Sequence, residues 1–254
     1  MNPKLKQAFE RAAIENYWSD ADSVSGPGSN MLQTRIIREA IPVLLEKYNV
    51  QSMMDAPCGD LFWMKTMLPV LMEKGIEYHG ADIVPALIEK HTTAFKDYPL
   101  FFHNIDLTKG PVPKVDLIFT RDCFIHLSYK NILSILKNYR HSGSRYLLVN
   151  TYTKPTRKNH NVRGFFLWGR MLNMEKFPFY FGKPIELINE GSTEKEGRDD
   201  DKSLGLWEIG QLNLFKIKLC LILLFIPETT GNVLENTADF MKRLKNFIKR
   251  KLVK

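Results

Sequence analysis

The chain has 254 residues, enough for one domain with added segments and a sizeable hydrophobic core. Its composition, 44% hydrophobic and 25% charged, is typical of a globular protein and excludes disordered, collagen-like and membrane-spanning classes. The net charge of +8 is concentrated in residues 240–254, which hold seven Lys and Arg and no acid, so the body is nearly neutral. A nearly neutral body argues against a nucleic-acid-binding surface.

The N-terminus carries a charge every few residues and lacks the apolar segment of a signal peptide, so we expect a cytoplasmic protein. Cys58, Cys123 and Cys220 form no C-x-x-C pair, which predicts reduced thiols and no metal site. The longest apolar run, 219–226, is far shorter than the roughly 20 residues that span a bilayer. We expect it to form a buried strand or helix.

Residues 1–50 are predicted to form two helices joined by a loop. Helical spacing runs from Pro3 to Tyr17, and the Ser-, Asp- and Gly-rich loop follows at Ser19–Asn30. The second helix contains Pro42, a candidate kink. Its predicted apolar face consists of Ile36, Ile37, Ile41, Leu44 and Leu45.

From residue 51, short apolar segments alternate with amphipathic ones, a pattern that predicts an α/β fold with a parallel sheet. The predicted strands are Ser52–Ala56, Glu77–Asp82, Phe101–Asn104, Val115–Arg121 and Tyr146–Thr151. The predicted helices are Leu61–Lys74, Val84–Phe95 and Tyr129–Arg140. Residues 105–114 contain one Gly and two Pro, which leave little room for a helix.

After the fifth strand the alternation stops. Residues 153–184 are rich in Arg, Phe, Gly and Pro, and we expect an insertion that covers one end of the sheet. Residues 186–190 then predict a strand, 191–202 a solvated loop, and 203–209 a partner strand. The sheet is therefore expected to be mostly parallel, with an antiparallel pair at one edge. Residues 185–239 would complete the sheet and pack at its C-terminal side.

Acidic side chains follow four of the predicted strands. Asp55 ends the first strand, Asp82 the second, Asp106 follows the third, and Asp122 follows the fourth after Arg121. In an open α/β sheet, ligands bind beyond the carboxyl ends of the strands. We therefore expect these side chains to surround one binding site.

The turn after the first strand, "DAPCGD", is poorly suited to a pyrophosphate. It offers Gly59 alone, Pro57 removes a backbone N–H, and Asp60 adds negative charge, although Asp60 is also a plausible helix N-cap. A cation with a sugar and a base fits better. Asp55 would lie near its ammonium, Asp82 would accept from ribose hydroxyls, and Asp106, or alternatively Asn104, would accept from an exocyclic amine.

This pattern resembles the Rossmann-like S-adenosylmethionine-dependent methyltransferases over about residues 50–152. The motifs that carry the resemblance are "DAPCGD", "GADI", "NID" and "VDLIFTRDCFIHL". A narrower likeness, to methyltransferases of bacterial capsule and surface-polysaccharide synthesis, rests on "SVSGPGSN", "DAPCGDLFWM", "TRDCFIHLS" and "GRMLNMEKFPFYF". The resemblance implies S-adenosylmethionine as cofactor, bound by Asp55, Ala56, Pro57, Cys58, Gly59, Asp82, Ile83, Asp106, Arg121 and Asp122. It assigns residues 51–152 to the cofactor-binding core.

Asp122 and His126 are expected where the acceptor meets the methyl group. One of them would act as a general base if a hydroxyl must lose its proton. A structural role for His126 is an alternative, and His79, His91 and His141 are expected at the surface. Trp18 and the Ser19–Asn30 loop would close over the cofactor, or form an ordinary loop.

The insertion at 153–184 is expected to be the substrate cap. Arg163 and Arg170, next to Trp168, suit an anionic sugar or phosphate, although an exposed surface of Arg and aromatic residues has the same composition. The expected activity is O-methylation of a small anionic or sugar acceptor. The alternatives are an RNA methyltransferase and a non-enzymatic, membrane-associated binding protein.

The basic tail, residues 240–254, has one apolar helical face that Lys251 interrupts. Such a helix suits peripheral contact with the inner face of a membrane. Packing on the domain, or pairing with another chain, fits the same pattern. The oligomeric state is left open.

Overall fold

The computed structural model describes residues 2–224, without the side chains of Lys195 and Leu223. The chain divides into two compact units, residues 1–220 and 221–254, and only 221–224 of the second are described. The predicted basic tail at 240–254 lies outside the described residues. Within the described part, no helix is long and apolar enough to cross a membrane.

Seven strands of the described chain form one sheet in the order β3-β2-β1-β4-β5-β7-β6. The strands are β1 (Ser52–Asp55), β2 (Glu77–Asp82), β3 (Leu100–Asn104), β4 (Leu117–Thr120), β5 (Tyr146–Tyr152), β6 (Glu186–Asn189) and β7 (Lys202–Glu208). The first five pair in parallel, whereas β7 runs antiparallel to both β5 and β6. The predicted α/β fold, a mostly parallel sheet with an antiparallel edge, is therefore confirmed.

Six helices accompany the sheet in the described chain: α1 (Pro3–Ile14), α2 (Arg35–Lys47), α3 (Leu68–Glu73), α4 (Pro85–Ala94), α5 (Tyr129–Ser142) and α6 (Leu214–Leu224). Asn2 caps α1 by accepting a hydrogen bond from the Leu5 N–H, and Ser128 caps α5 in the same way. Gly143 ends α5 in the left-handed conformation (φ 76°), which favours glycine. The helix α2 continues through Pro42.

Alternate residues of the strands pack against α2 and α3. The core on this face contains Met53, Tyr78, Leu117, Phe119, Tyr146, Leu148, Leu204 and Leu206 from the sheet, and Ile37, Ile41, Leu44, Leu45, Leu68 and Leu71 from the helices. The period of two in the strands gives one apolar face to the helices. The predicted face of α2 is confirmed except for Ile36, which is exposed.

Two predicted helices are shorter than expected. The helix predicted at Leu61–Lys74 begins only at Leu68, because Leu61 has a left-handed backbone (φ 57°) that no α-helix accommodates. A single 3₁₀ turn, Met64–Thr66, precedes it. The helix predicted at Pro3–Tyr17 ends at Ile14, since Asn16 also adopts a positive φ. The first four predicted strands agree with β1–β4 within about three residues at either end.

The antiparallel strand β7 reverses which end of a strand faces the binding edge. Tyr152 at the carboxyl end of β5 pairs with Lys202 at the start of β7, and Asn189 at the end of β6 pairs with Ser203. The first residues of β7 therefore lie at the same edge as the last residues of β5 and β6. Lys202 and Ser203 thus belong to the edge where Asp55, Asp82 and Asp122 also lie.

Candidate functional site

A cavity opens at the carboxyl edge of β1, β2 and β4. Side chains from α1 and the loop before α2, including Phe9 and Trp18, cover it. Ten residues expected at the site line this cavity: Asp55, Pro57, Cys58, Gly59, Asp82, Ile83, Asp106, Arg121, Asp122 and His126. The structure thus brings together side chains that are up to 71 positions apart in the sequence.

Asp55 is buried at the end of β1 and accepts a 3.0 Å hydrogen bond from the Tyr78 hydroxyl. Burial, with a smaller contribution from the nearby Asp82, raises the pKa of this carboxyl to about 8, although the Tyr78 hydrogen bond opposes the shift. Ala56 lies beneath the turn, where its N–H donates to the Phe119 carbonyl at 2.9 Å. Asp55 is therefore an acid that lacks a charge partner strong enough to keep it ionised at neutral pH.

The Gly59 turn is held from three sides. Its N–H donates to Asp82 Oδ2 at 3.0 Å, and its carbonyl accepts from His91 Nε2 at 2.8 Å. A Cβ at Gly59 would lie 2.3 Å from Ser25 Oγ, and its φ of +56° also favours glycine. His91 is thus a buried structural support, and its expected surface position is wrong, as is that of His79.

Asp60 fixes the Ser-rich loop rather than capping a helix. Its carboxylate accepts from the Ser23 and Ser25 hydroxyls, at 3.0 and 3.1 Å, and from the Val24 N–H at 3.0 Å. Farther along the loop, Gln33 exchanges two hydrogen bonds with Thr193, at 2.7 and 3.0 Å. The N-terminal loop is therefore fastened to both the β1 turn and the segment before β7.

Asp82 and Asp106 occupy the second and third strand ends. Asp82 accepts from the N–H groups of Gly59 and Val84, and burial raises its pKa against those hydrogen bonds. Asn104 donates to the backbone carbonyl of Asp82 at 3.0 Å, so its side chain supports the strand end. Asp106 accepts from the Thr108 N–H and hydroxyl through Oδ1, and from the Asn2 N–H through Oδ2. Both oxygens of Asp82, and Oδ2 of Asp106, retain a lone pair for a further donor, whereas Thr108 occupies both lone pairs of Asp106 Oδ1.

Arg121 forms a buried ion pair with Glu190, which is fully buried. Two guanidinium nitrogens reach Glu190 Oε2 at 3.0 and 2.7 Å, and a third lies 3.3 Å from Asp122 Oδ2. Asn150 donates to Glu190 Oε1 at 2.6 Å and accepts from the Asp122 N–H. The network fixes the β4–α5 loop relative to β5 and β6.

Asp122 is an ionised carboxylate with one free oxygen. Burial raises its pKa, but the charges of Lys202 and Arg121 outweigh burial and lower that pKa to about 2. Lys202 Nζ lies 2.9 Å from Oδ2, whereas the buried Oδ1 has no hydrogen-bond partner among the described residues. Asp122 also has a positive φ of 50°, a conformation that is costly outside glycine. A buried, unpaired acceptor at a cavity wall is suited to receive a donor from a ligand.

His126 has one ring nitrogen committed to the protein. Nδ1 lies 3.0 Å from the Phe166 carbonyl oxygen, which only accepts, so Nδ1 carries the proton and Nε2 of the neutral ring has a lone pair. Burial lowers the pKa of His126 below its usual value of 6.5. Phe9 and Trp18 pack against the ring, with centroids 5.9 and 5.7 Å away. His126 is therefore an uncharged side chain at the cavity wall, and its Nε2 can accept a proton.

The insertion joins the lid of the cavity, but not through its predicted substrate residues. Arg170 donates to the backbone carbonyls of His160, Ile125 and Leu127, so its guanidinium is used to hold the chain. Trp168 is 70% exposed and contacts Tyr17 edge to face. Arg163 is exposed, and neither it, Arg170 nor Trp168 lies in the cavity lining.

Trp18 connects the N-terminal segment to the insertion. Its indole N–H donates to the Leu167 carbonyl at 2.8 Å. Gly26, with φ +95°, leaves room for the side chain of Trp18. A Cβ at Gly26 would lie 3.1 Å from Trp18 Cβ and Cγ. The two chain segments therefore form one cover over the cavity.

Sequence reasoning missed Glu190, Lys202 and Asn150. Residues 191–202 have the composition of a solvated loop, and that prediction is wrong for Lys202, whose side chain is 3% exposed. Glu190 directly follows β6, so a strand-end criterion applied to the edge strands identifies it. Lys202 requires the further inference that an antiparallel strand begins at the binding edge.

The sequence matches no protein-family model and no curated protein. Its structure is similar to the N-methyltransferase NodS from Bradyrhizobium japonicum in complex with S-adenosyl-L-homocysteine, at 13% identity over 80% of this chain and 96% of that one, with a TM-score of 0.52. It is also similar to the pyocyanin biosynthetic protein PhzM, at 14% identity over 70% of this chain and 56% of that one, with a TM-score of 0.50. At such identities the likeness shows the fold, and the predicted Rossmann-like methyltransferase fold is confirmed.

Replacing Asp55 by Asn should stabilise the ligand-free protein at alkaline pH. Because the folded-state pKa of Asp55 is raised to about 8, the wild type loses stability as pH rises toward that value, and the variant does not. The difference in free energy of unfolding should grow by about 1.4 kcal/mol per pH unit between pH 5 and 8. Urea unfolding measures it, with exposed Asp97→Asn as the control. A pH-independent difference would show that Asp55 ionises normally.

Proposed function

We propose that the protein is an S-adenosylmethionine-dependent methyltransferase. The observation that supports this most strongly is the convergence of Asp55, Asp82 and Asp106 with Asp122 and His126 around one cavity. The three acids suit a cationic nucleoside, and the last two residues suit an acceptor that must lose a proton. The confirmed fold is consistent with this activity but does not establish it.

The cofactor assignment follows from charge. Residues 57–63, the part of the turn that lines the cavity, include Asp60 but no lysine or arginine, and Asp55 and Asp82 lie beside them, so a pyrophosphate finds no cationic partner in the turn. A sulfonium cofactor with its ammonium group is attracted instead, and a nearby cation would lower the raised pKa of Asp55. In this assignment Asp82 accepts from ribose hydroxyls through its remaining lone pairs. Asp106 accepts from the adenine amine.

The acceptor assignment favours a neutral hydroxyl, as on a sugar. Arg121 and Lys202 are neutralised by Glu190, Asp122 and Glu194, and Arg170 is bonded to carbonyls, so the described site offers little free positive charge to a phosphate. An anionic acceptor, expected from the insertion's composition, therefore receives less support. RNA receives little support for the same reason. A role in capsule or surface-polysaccharide synthesis rests on the sequence resemblance alone.

The chain's own residues can carry out the proton chemistry. When bound, the cofactor supplies a methyl group on positively charged sulfur. Asp122 Oδ1 accepts a hydrogen bond from a second hydroxyl of the acceptor, and so orients the reacting hydroxyl, which donates to His126 Nε2, for in-line displacement. Because a carboxyl with a pKa of about 2 is a weak base, His126 takes the proton at Nε2 as the new oxygen–carbon bond forms and the sulfur–carbon bond breaks.

Calorimetry with S-adenosylmethionine and S-adenosylhomocysteine tests the cofactor assignment. The wild type, freed of ligand, should bind both, and Asp82→Ala should bind about tenfold more weakly or worse, because hydrogen bonds to a charged group contribute roughly 1.5–3 kcal/mol. Asp97→Ala is the matched surface control. If the wild type releases no heat with either compound, the proposed function is wrong. Unchanged affinity in Asp82→Ala removes that residue from the site.

Methyl transfer from labelled cofactor to a panel of sugars, nucleotide sugars, sugar phosphates and phosphoramidates tests the acceptor and base. With a hydroxyl acceptor, kcat should fall on acidification with an apparent pKa below 6.5, since protonated His126 cannot accept the proton. His126→Gln should lower kcat by about 10²–10⁴-fold and remove this acid limb, with cofactor affinity unchanged. An acid limb that persists in the variant assigns it to another group.

A further inference from the structure

Lys202 is a buried lysine at the edge of the sheet where ligands bind. It begins β7, and its side chain is 3% exposed. Lysine is almost never fully buried unless its charge is paired. Its Nζ has two carboxylate partners, Asp122 Oδ2 at 2.9 Å and Glu194 Oε2 at 3.2 Å.

The N-terminal loop covers this ion pair. A Cβ at Gly28 would lie 2.9 Å from Asp122 Oδ2, 3.2 Å from Lys202 Nζ and 3.5 Å from Glu194 Oε2. The glycine backbone therefore lies directly on the charged atoms and leaves no room for a side chain. Exclusion of water strengthens the attraction between Lys202 and Asp122.

The geometry divides the two oxygens of Asp122 between different tasks. Lys202 and Arg121 both contact Oδ2, and the Asp122 N–H donates to Asn150, so the carboxylate plane is fixed. Within residues 2–224, Oδ1 is buried without a hydrogen-bond partner, and Asp122 lines the cavity. Lys202 is not among the lining residues, and its direct contact with a lining side chain is the 2.9 Å ion pair with Asp122.

We propose that Lys202 is a positioning residue for methyl transfer: it holds Oδ2 of Asp122 so that the carboxylate stays ionised and presents Oδ1 to a second hydroxyl of the acceptor, beside the reacting one. The inference rests on the proposed function. It assigns a role to a residue that lies outside the cavity and that the site motifs do not include.

The charged and titratable groups around this pair determine how the pKa of Asp122 changes when Lys202 is removed. The groups that face Asp122 or Lys202 are Arg121, His126, Tyr152, Glu190 and Glu194. Without Lys202, burial raises the pKa of Asp122, and Arg121, which also pairs with Glu190, is the main remaining cation. Asp122 then becomes protonated on acidification, and a protonated carboxyl orients the acceptor less well.

The test compares Lys202→Met with Lys202→Arg, and uses the exposed Lys218→Met as a matched control. We expect Lys202→Met to lower kcat about 10- to 100-fold at pH 7 with little change in KM for the cofactor. Its kcat should recover as pH rises, along a second acid limb that adds to the limb of His126 and that Lys202→Arg lacks. A wild-type pH profile in Lys202→Met overturns the proposal.

A double variant keeps the proposal testable if an unpaired Asp122 prevents folding. Asp122→Asn/Lys202→Met removes both charges, and it should turn over no more slowly than Asp122→Asn alone, because Lys202 acts only through Asp122. If the fall in kcat of the double variant equals the product of the falls in the two single variants, the two residues act independently and the proposal is overturned.

Carbon-13 NMR of labelled aspartate tests the same link without cofactor or acceptor. The Asp122 carboxyl, assigned by its loss in Asp122→Asn, should titrate between pH 4 and 8 in Lys202→Met and stay ionised in the wild type. A carboxyl that stays ionised in both overturns the inference. A wild type that binds no cofactor overturns the proposed function instead, so the two failures are distinguishable.

Discussion

The buried pair of Arg121 and Glu190 connects the two halves of the sheet. Arg121 follows β4 in the parallel half, and Glu190 follows β6 at the antiparallel edge. An ion pair removed from water contributes little net stability, but losing one partner leaves an unpaired buried charge that costs about 3–5 kcal/mol. The pair therefore acts mainly as a geometric constraint, since it fixes where Asp122, Asn150 and Lys202 meet.

The parallel half of the fold and its acids could be predicted because both depend on local patterns. Apolar segments of four to six residues ending in acid place Asp55, Asp82 and Asp122 at one edge without any knowledge of contacts. The antiparallel half could not be treated in this way, because strand direction decides which end of β7 faces the site. The composition of residues 191–202 predicted that Lys202 is exposed to solvent. Burial of its charge depends instead on partners 8 and 80 positions away.

The N-terminal cover shows a second limit of local reasoning. A Ser- and Gly-rich loop predicts an irregular backbone, and it does form one, but its position is set by Asp60, Thr193 and the Asp122–Lys202 pair. The positive φ of Leu61, which shortens α3, likewise belongs to a turn whose shape depends on Ser25 and Asp82. Such positions follow from tertiary contacts that no local pattern encodes.

The exchange of hydrogen bonds between Gln33 and Thr193 joins residues 160 positions apart. A ribosome adds about 5–20 residues per second, so the loop that covers the cavity waits on the order of ten seconds for its partner to be synthesised. The parallel strands β1–β4 are complete well before that time. The cover can therefore be fastened at Thr193 only after the part of the binding edge that β1–β4 form has been synthesised, and Lys202 joins that edge later still.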